Sequence, residues 1–138
     1  MKILKLWLPV VIWAGLIFCV SSIPYLKTNL KYDFILRKGA HVVEYGVLTF
    51  LLYRAFQGTF NMTAFGLFAY PVLLSFLYAA SDEFHQTFVP GRSGNVTDVL
   101  IDGIGIFGFY VVIQIITANR KGGEARNQSR QHLSKTGG

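Results

Sequence analysis

The chain has 138 residues, of which 52% are hydrophobic and 14% are charged, and its formal net charge is +6. Soluble domains carry about a quarter charged residues. The composition therefore excludes an ordinary soluble domain, which would need more charge to cover its surface, and it favours residence in a membrane.

Four apolar stretches follow one another along the chain, at about residues 6–23, 39–56, 62–80 and 96–118. Each approaches the roughly 20 residues that cross a bilayer's hydrocarbon core as a helix. The runs are continuous rather than alternating in polarity, which is typical of helices and not of barrel strands. Residues 1–118 are thus predicted to form an all-α integral membrane bundle of four transmembrane helices. The first run also has features of a cleavable signal peptide, an alternative that leaves the later helices unchanged.

Residues 119–138 have a different composition. They hold five of the 13 basic residues, one of the seven acidic residues and almost no apolar ones. Because such a segment has little apolar surface to bury, we expect a basic disordered tail. No nucleic-acid-binding motif accompanies this positive charge, so we predict no nucleic-acid partner.

Basic residues in the short flanks indicate orientation, since cytoplasmic flanks carry an excess of Lys and Arg. With four spans, the N-terminus, the Arg54 loop and the tail share one side and hold eight basic residues. The other side holds five, namely Lys27, Lys31, Arg37, Lys38 and Arg92. The difference favours both termini on the cytoplasmic side, with a cytoplasmic tail.

Polar residues are concentrated at the start of the second and fourth helices and after the third. In the predicted topology these places lie together at the outward face. Ionised side chains within a membrane are costly when they face lipid, so we expect these to face the bundle interior. The candidate ligand-binding residues are Lys38, His41, Glu44, Tyr45, Asp82, Glu83, His85, Gln86, Arg92, Asp98 and Asp102.

An anion-binding pocket is one chemistry that these residues support. Arg92, which follows a Pro-Gly turn, and Lys38 would bind a phosphate, and His41 and His85 would form hydrogen bonds to the ligand. The same pocket could instead be an active site, in which Glu44 or His85 acts as the general base.

Two further interpretations of these residues are a structural ion-pair network and a metal site. In the first, the basic residues pair with Glu44, Asp98 and Asp102, and the network only holds the helices together. In the second, the helical spacing of His41, Glu44 and Tyr45 approaches the inverted zinc motif His-x-x-Glu-His but lacks its last histidine. We therefore predict no metal site and no cofactor.

Three motifs resemble the VanZ-like family of small bacterial membrane proteins. They are KGAHVVEY at residues 38–45, SDEFHQ at 81–86, and VPGRSGN at 89–95 leading to DVLIDGIG at 98–105. The resemblance covers about residues 35–110 and includes all of the candidate residues. One departure is Asp102, where an Asn is expected in many members.

The resemblance implies a helical, multi-pass protein of the bacterial inner membrane. The family is named for a member associated with low-level resistance to teicoplanin. We predict that the pocket contacts membrane lipids and binds a lipid-linked cell-wall component or an amphiphilic glycopeptide. The alternatives are a hydrolase or transferase acting on a lipid-linked phosphate or ester, and a purely structural charged cluster. The sequence leaves open whether copies of the chain form a homo-oligomer.

Overall fold

The computed structural model describes residues 2–25, 33–92 and 94–136, and over these residues all of the regular secondary structure is helical. The helices are α1 (Lys2–Ser21), α2 (Asp33–Thr59), α3 (Ala64–Gln86) and α4 (Val96–Thr136). The predicted all-α class is thereby confirmed. Lys27 and Lys31, which entered the charge comparison, lie outside the described residues.

Three helical segments are long and apolar enough to cross a membrane, namely Lys2–Ser21, Ala64–Gln86 and Val96–Asn119. The fourth predicted span, α2, does not meet this measure within the described residues, because Arg37, Lys38, Glu44 and Arg54 lower its hydropathy. α2 contacts each of the other three helices. Polar residues on this central helix can therefore face protein.

The helices continue past the apolar stretches. α2 begins at Asp33 rather than near Gly39, and α3 ends at Gln86 rather than near Ala80. The added turns of α3 are held by a bond within the helix, Gln86 to Asp82, and by a bond from Ser21 of α1 to Asp82. α4 continues to Thr136, so residues 119–136 are helical where the sequence predicts disorder. This stretch has no proline, and seven of its 18 residues are Arg, Lys or Gln, residue types that favour extension of a helix already formed.

The apolar core lies along one face of α2. Tyr45, Leu48, Leu52 and Ala55 are buried at spacings of three and four residues, as expected for a single helix face. They belong to one cluster with residues from the other helices: Ile17, Val72, Ala79 and Ile106. This packing holds the other three helices around α2.

α4 lies directly against the backbone of α2 at Gly105. A Cβ atom added at Gly105 would overlap the backbone carbonyl of Val42, so this approach requires a glycine. Since Asp102 is one turn before Gly105, the close approach sets its position against α2.

Successive helices alternate in direction, so the bundle has two different ends. The C-terminal ends of α1 and α3 and the N-terminal ends of α2 and α4 meet at what we call the polar end, where Ser21 bonds to Asp82. At the other, aromatic end, the Trp7 ring packs against Phe56 and Phe60. The candidate residues lie at the polar end.

Candidate functional site

α1 joins the site through Ser21. The Ser21 hydroxyl, 3% exposed, donates a hydrogen bond to Asp82 Oδ2 at 2.8 Å. The same oxygen accepts from Gln86 Nε2 at 2.9 Å. Asp82 therefore accepts hydrogen bonds from α1, through Ser21, and from its own helix α3, through Gln86. The sequence indicated no role for α1 here, because a serine at the end of an apolar run is a common boundary residue.

Arg92 caps the C-terminal end of α1. Its Nη2 donates to the Val20 carbonyl at 2.8 Å and its Nε to the Ile23 carbonyl at 3.3 Å. Its Nη1 donates to Gln86 Oε1 at 3.4 Å. The last carbonyls of a helix have no partner within the helix, and a cation there also complements the helix dipole. These contacts give Arg92 a structural role. No local sequence pattern indicated that role.

Lys38 and Asp98 form an ion pair between α2 and α4. Both side chains are about one-fifth exposed, at 21% and 23%. Asp98 also lies in the first turn of α4, where a carboxylate is favourable. Among the described residues, this pair bears out one contact of the ion-pair hypothesis, and it links α2 to α4 at the polar end.

His41, Glu83 and Asp102 converge from α2, α3 and α4, and we call them the three-helix cluster. One nitrogen or oxygen atom from each residue lies within 4.8 Å of the other two. His41 Nδ1 is 3.4 Å from Asp102 Oδ1. Asp102 is 0% exposed and Glu83 is 4% exposed. Two carboxyl groups and an imidazole thus share one small volume between three helices.

Several buried polar atoms around this cluster have no hydrogen-bond partner in the described part of the chain. They are Tyr45 Oη, Asp82 Oδ1, Glu83 Oε1 and Asp102 Oδ2, while His41 Nδ1 and Asp102 Oδ1 have only each other there, at 3.4 Å. The second Glu83 oxygen accepts from the Asn95 N–H at 2.9 Å. An unpaired buried polar group costs about 1–3 kcal/mol, and native proteins contain few of them. Their concentration here argues against a cluster built for packing alone.

A cleft of about 60 Å³ adjoins the three-helix cluster. This is roughly the volume of two water molecules. His41 belongs to both the cleft and the cluster. The other residues that line the cleft are Val20, Ser21, Arg37, Ala40, Glu44 and Arg92.

Arg37 was absent from the residues predicted from sequence. Its signal was available, because Arg37, His41 and Glu44 are spaced by four and three residues and so share one face of α2. The neighbouring Lys38 was predicted to bind the anion instead, and its side chain pairs with Asp98 on α4.

His85 lies apart from the three-helix cluster, against α1. Its ring centroid is 4.6 Å from that of Phe18, and its Nε2 is 3.1 Å from the Ser22 hydroxyl. Ser22 donates its single hydroxyl proton to the Phe18 carbonyl at 2.7 Å. The Ser22 oxygen must then accept from Nε2–H, so His85 is not placed to act as a base toward Ser22.

The predicted residues therefore divide into groups. The structure brings His41, Tyr45, Asp82, Glu83 and Asp102 together in and around the three-helix cluster. Glu44 and Arg92 line the adjoining cleft, and Gln86 links Asp82 to Arg92. Lys38 and Asp98 pair beside them, and His85 lies on the α1 side.

A family model described as VanZ/LLP1 matches residues 6–117. The chain belongs to the VanZ/LLP1 family. The match contains every candidate residue and confirms the resemblance seen in the three motifs. Together with the three apolar helices, VanZ/LLP1 membership makes this a VanZ-like membrane protein. No curated protein and no solved structure matches the chain.

Proposed function

We propose that this VanZ/LLP1 protein is a multi-pass protein of the bacterial inner membrane whose outward-facing cleft binds the anionic headgroup of an envelope lipid. The observation that carries the proposal is the lining of the cleft. Arg37 and Arg92 lie beside His41 in about 60 Å³, and guanidinium groups bind phosphate oxygens through charge-assisted hydrogen bonds. The volume suits one phosphate group and is too small for a whole glycopeptide.

In this proposal α2 is the fourth span. Its 27 residues extend about 40 Å at 1.5 Å per residue, which exceeds the roughly 30 Å hydrocarbon core. It contacts all three other helices, and its Lys38 and His41 pair with residues of α4, which supports insertion despite its lower hydropathy. The distribution of basic residues favours both termini in the cytoplasm and the polar end outward.

The proposed ligand is a lipid-linked cell-wall component that carries a phosphate. Occupation of the cleft by this lipid would then alter tolerance to teicoplanin-type glycopeptides, the property for which the family is named. The volume of the cleft favours this route over direct binding of the drug.

Lipid binding can be tested with purified protein and two lipids of different headgroup charge. Native mass spectrometry would measure retention of phosphatidylglycerol and of phosphatidylcholine by the wild type, Arg37→Gln and Arg54→Gln. Arg54 is a matched control, because it is an exposed arginine on the same helix at the aromatic end. Loss of one charge-assisted hydrogen bond, worth about 1.5–3 kcal/mol, should weaken phosphatidylglycerol retention by roughly tenfold or more in Arg37→Gln.

Two results would contradict the proposal. One is equal retention of both lipids by the wild type, and the other is equal loss in Arg37→Gln and Arg54→Gln. The link to drug tolerance is tested separately, by teicoplanin susceptibility of cells that express each variant at the same level. Saturable binding of teicoplanin to lipid-free protein would favour direct recognition of the drug.

A membrane hydrolase or transferase is the second candidate function. It is supported by Glu44, which lines the cleft beside His41 and both arginines and could act as a general base on a bound ester or phosphate. Purified protein incubated with radiolabelled envelope lipids should then yield a product that Glu44→Gln no longer forms. An unchanged lipid profile with the wild type would remove this candidate.

A further inference from the structure

We propose that the three-helix cluster of His41, Glu83 and Asp102 binds one divalent first-row transition-metal ion, of which Zn²⁺ is the probe chosen below. The three residues offer one imidazole nitrogen and two carboxylates from three different helices. Glu83 and Asp102 are buried inside the bundle, and His41 is partly exposed at the adjoining cleft. The three ligands all come from this chain, and no bound lipid headgroup is needed to complete the site. The metal proposal therefore does not depend on the headgroup proposal.

The distances between the ligand atoms fit a metal ion. Zinc ligands lie about 2.0–2.2 Å from the metal, so neighbouring ligands of a tetrahedral ion lie roughly 3.3–3.6 Å apart. His41 Nδ1 and Asp102 Oδ1 already lie 3.4 Å apart. The remaining separations, within 4.8 Å, close by side-chain shifts of about 1 Å, which rotation of the Glu83 carboxylate can supply.

The charges and the unpaired atoms of the three-helix cluster also favour a bound cation. Asp102 is 0% exposed; its Oδ1 faces His41 Nδ1 at 3.4 Å, and its Oδ2 has no hydrogen-bond partner among the described residues. Glu83 Oε1 also has no partner there. Two buried carboxylates that share one imidazole cost several kcal/mol. One divalent cation would neutralise both carboxylates and provide a partner for all three ligands, whereas a protonated His41 supplies only one positive charge.

Backbone contacts hold the ligands in place. The Asn95 N–H donates to Glu83 Oε2 and leaves Oε1 for the ion. Gly94 lets the turn lie directly on α3, since a Cβ there would overlap the Glu83 carbonyl. Gly105 does the same for α4 against α2. Such supporting interactions orient the ligands of metal sites.

The donor set also restricts the kind of metal. Mg²⁺ and Ca²⁺ prefer all-oxygen ligands, whereas one imidazole with two carboxylates suits Zn²⁺, Mn²⁺ or Fe²⁺. Three protein ligands leave a coordination position for water or a further ligand. His41 is shared with the cleft, so this position lies near the cleft.

Metal content tests the site directly. The full chain, purified in detergent and stripped with a chelator, would be dialysed against Zn²⁺ and analysed by elemental mass spectrometry, with affinity measured by competition with a chromophoric chelator. We expect one Zn²⁺ per chain. Asp102→Asn and Glu83→Gln should each weaken binding by roughly 100-fold or more.

Asp98→Asn is the matched control, because Asp98 is one turn away on α4 and pairs with Lys38 outside the cluster. It should keep the wild-type affinity. Arg37→Gln, which tests the headgroup proposal, should also keep its metal, so failure of one proposal is distinguishable from failure of the other. A monodisperse elution profile would show that each variant is folded, and Glu83→Gln replaces Asp102→Asn should the latter aggregate.

Substitution with Co²⁺ gives a second measurement. The visible absorption bands of bound Co²⁺ should shift in His41→Gln and stay unchanged in Asp98→Asn. Folded wild-type protein that retains less than roughly a tenth of an equivalent of Zn²⁺ would overturn the proposal. Equal loss of affinity in Asp98→Asn and Asp102→Asn would overturn it as well.

Discussion

The two ends of the bundle are built from the same four helices but differ in the hydrogen bonding of their buried polar groups. At the aromatic end, Trp7 packs against Phe56 with ring centroids 5.4 Å apart, and its Nε1 donates to Thr59 at 3.0 Å. Around the three-helix cluster at the polar end, buried oxygen and nitrogen atoms lie without partners among the described residues. The aromatic end satisfies its polar atoms as a packing interface does, whereas the polar end has the unfilled bonding capacity of a binding site.

The largest expected effect is on the approach of the two helices that carry the polar end. Gly105→Ala should lower the free energy of unfolding by about 3 kcal/mol, because its Cβ meets the backbone of Val42 and the helices must separate. Gly108→Ala is the control, since a Cβ there meets nothing within 4 Å. Unfolding in mixed detergent micelles measures both. Equal stability of the two variants would show that the polar end does not need this close approach.

The sign of the change in the free energy of unfolding of Asp102→Asn distinguishes a binding site from a packing interface at the polar end. In the presence of a chelator, Asp102→Asn should raise the free energy of unfolding by about 2 kcal/mol, because Asp102 and Glu83 are buried carboxylates that share one imidazole, and the substitution removes one of the two charges. The same unfolding measurement applies. A lower stability would mean that the carboxylate already stabilises the metal-free fold, and the polar end would then resemble the aromatic end.

Trp7→Phe should have the opposite sign at the aromatic end. It keeps ring contacts with Phe56 and Phe60 but loses the hydrogen bond to Thr59, so the free energy of unfolding should fall by about 1 kcal/mol. Thr59→Val should cost a similar amount, and the double variant should add little to either. A fully additive double variant would indicate that the hydrogen bond contributes nothing.

Asp98→Asn should have the smallest effect. The Lys38–Asp98 pair is partly exposed, so its loss should cost about 0.5 kcal/mol. Unfolding at low and high salt provides the measurement, since added salt should reduce the difference from the wild type. A loss as large as that of Gly105→Ala would mean that the ion pair, rather than helix packing, holds α2 and α4 together.

Individual residues show which contacts of the site could be predicted from the sequence and which could not. The polar residues of α2, α3 and α4 were expected to meet because alternating helices bring those ends together, and the structure places them at one end of the bundle. Arg92 was interpreted as a ligand-binding group, since the acceptors it bonds, the carbonyls of Val20 and Ile23, lie far away along the chain. A search for local spacing could not reveal that contact.

The three-helix cluster was missed for the same reason. The metal possibility was set aside because His41, Glu44 and Tyr45 lack a third ligand at helical spacing. The structure instead combines His41 with Glu83 and Asp102 from two other helices. A motif search within one helix does not detect ligands contributed by three.

By itself, the sequence determined the helical class, the low charge, the family motifs and the end of the bundle at which polar residues gather, because these depend on composition and on period and order along the chain. Tertiary structure decided which atoms meet. It assigned Lys38 to Asp98, Arg92 to the end of α1 and Arg37 to the cleft. The physical reason is that helix rotation and the close contact at Gly105 determine these pairings, and both arise only when all four helices pack.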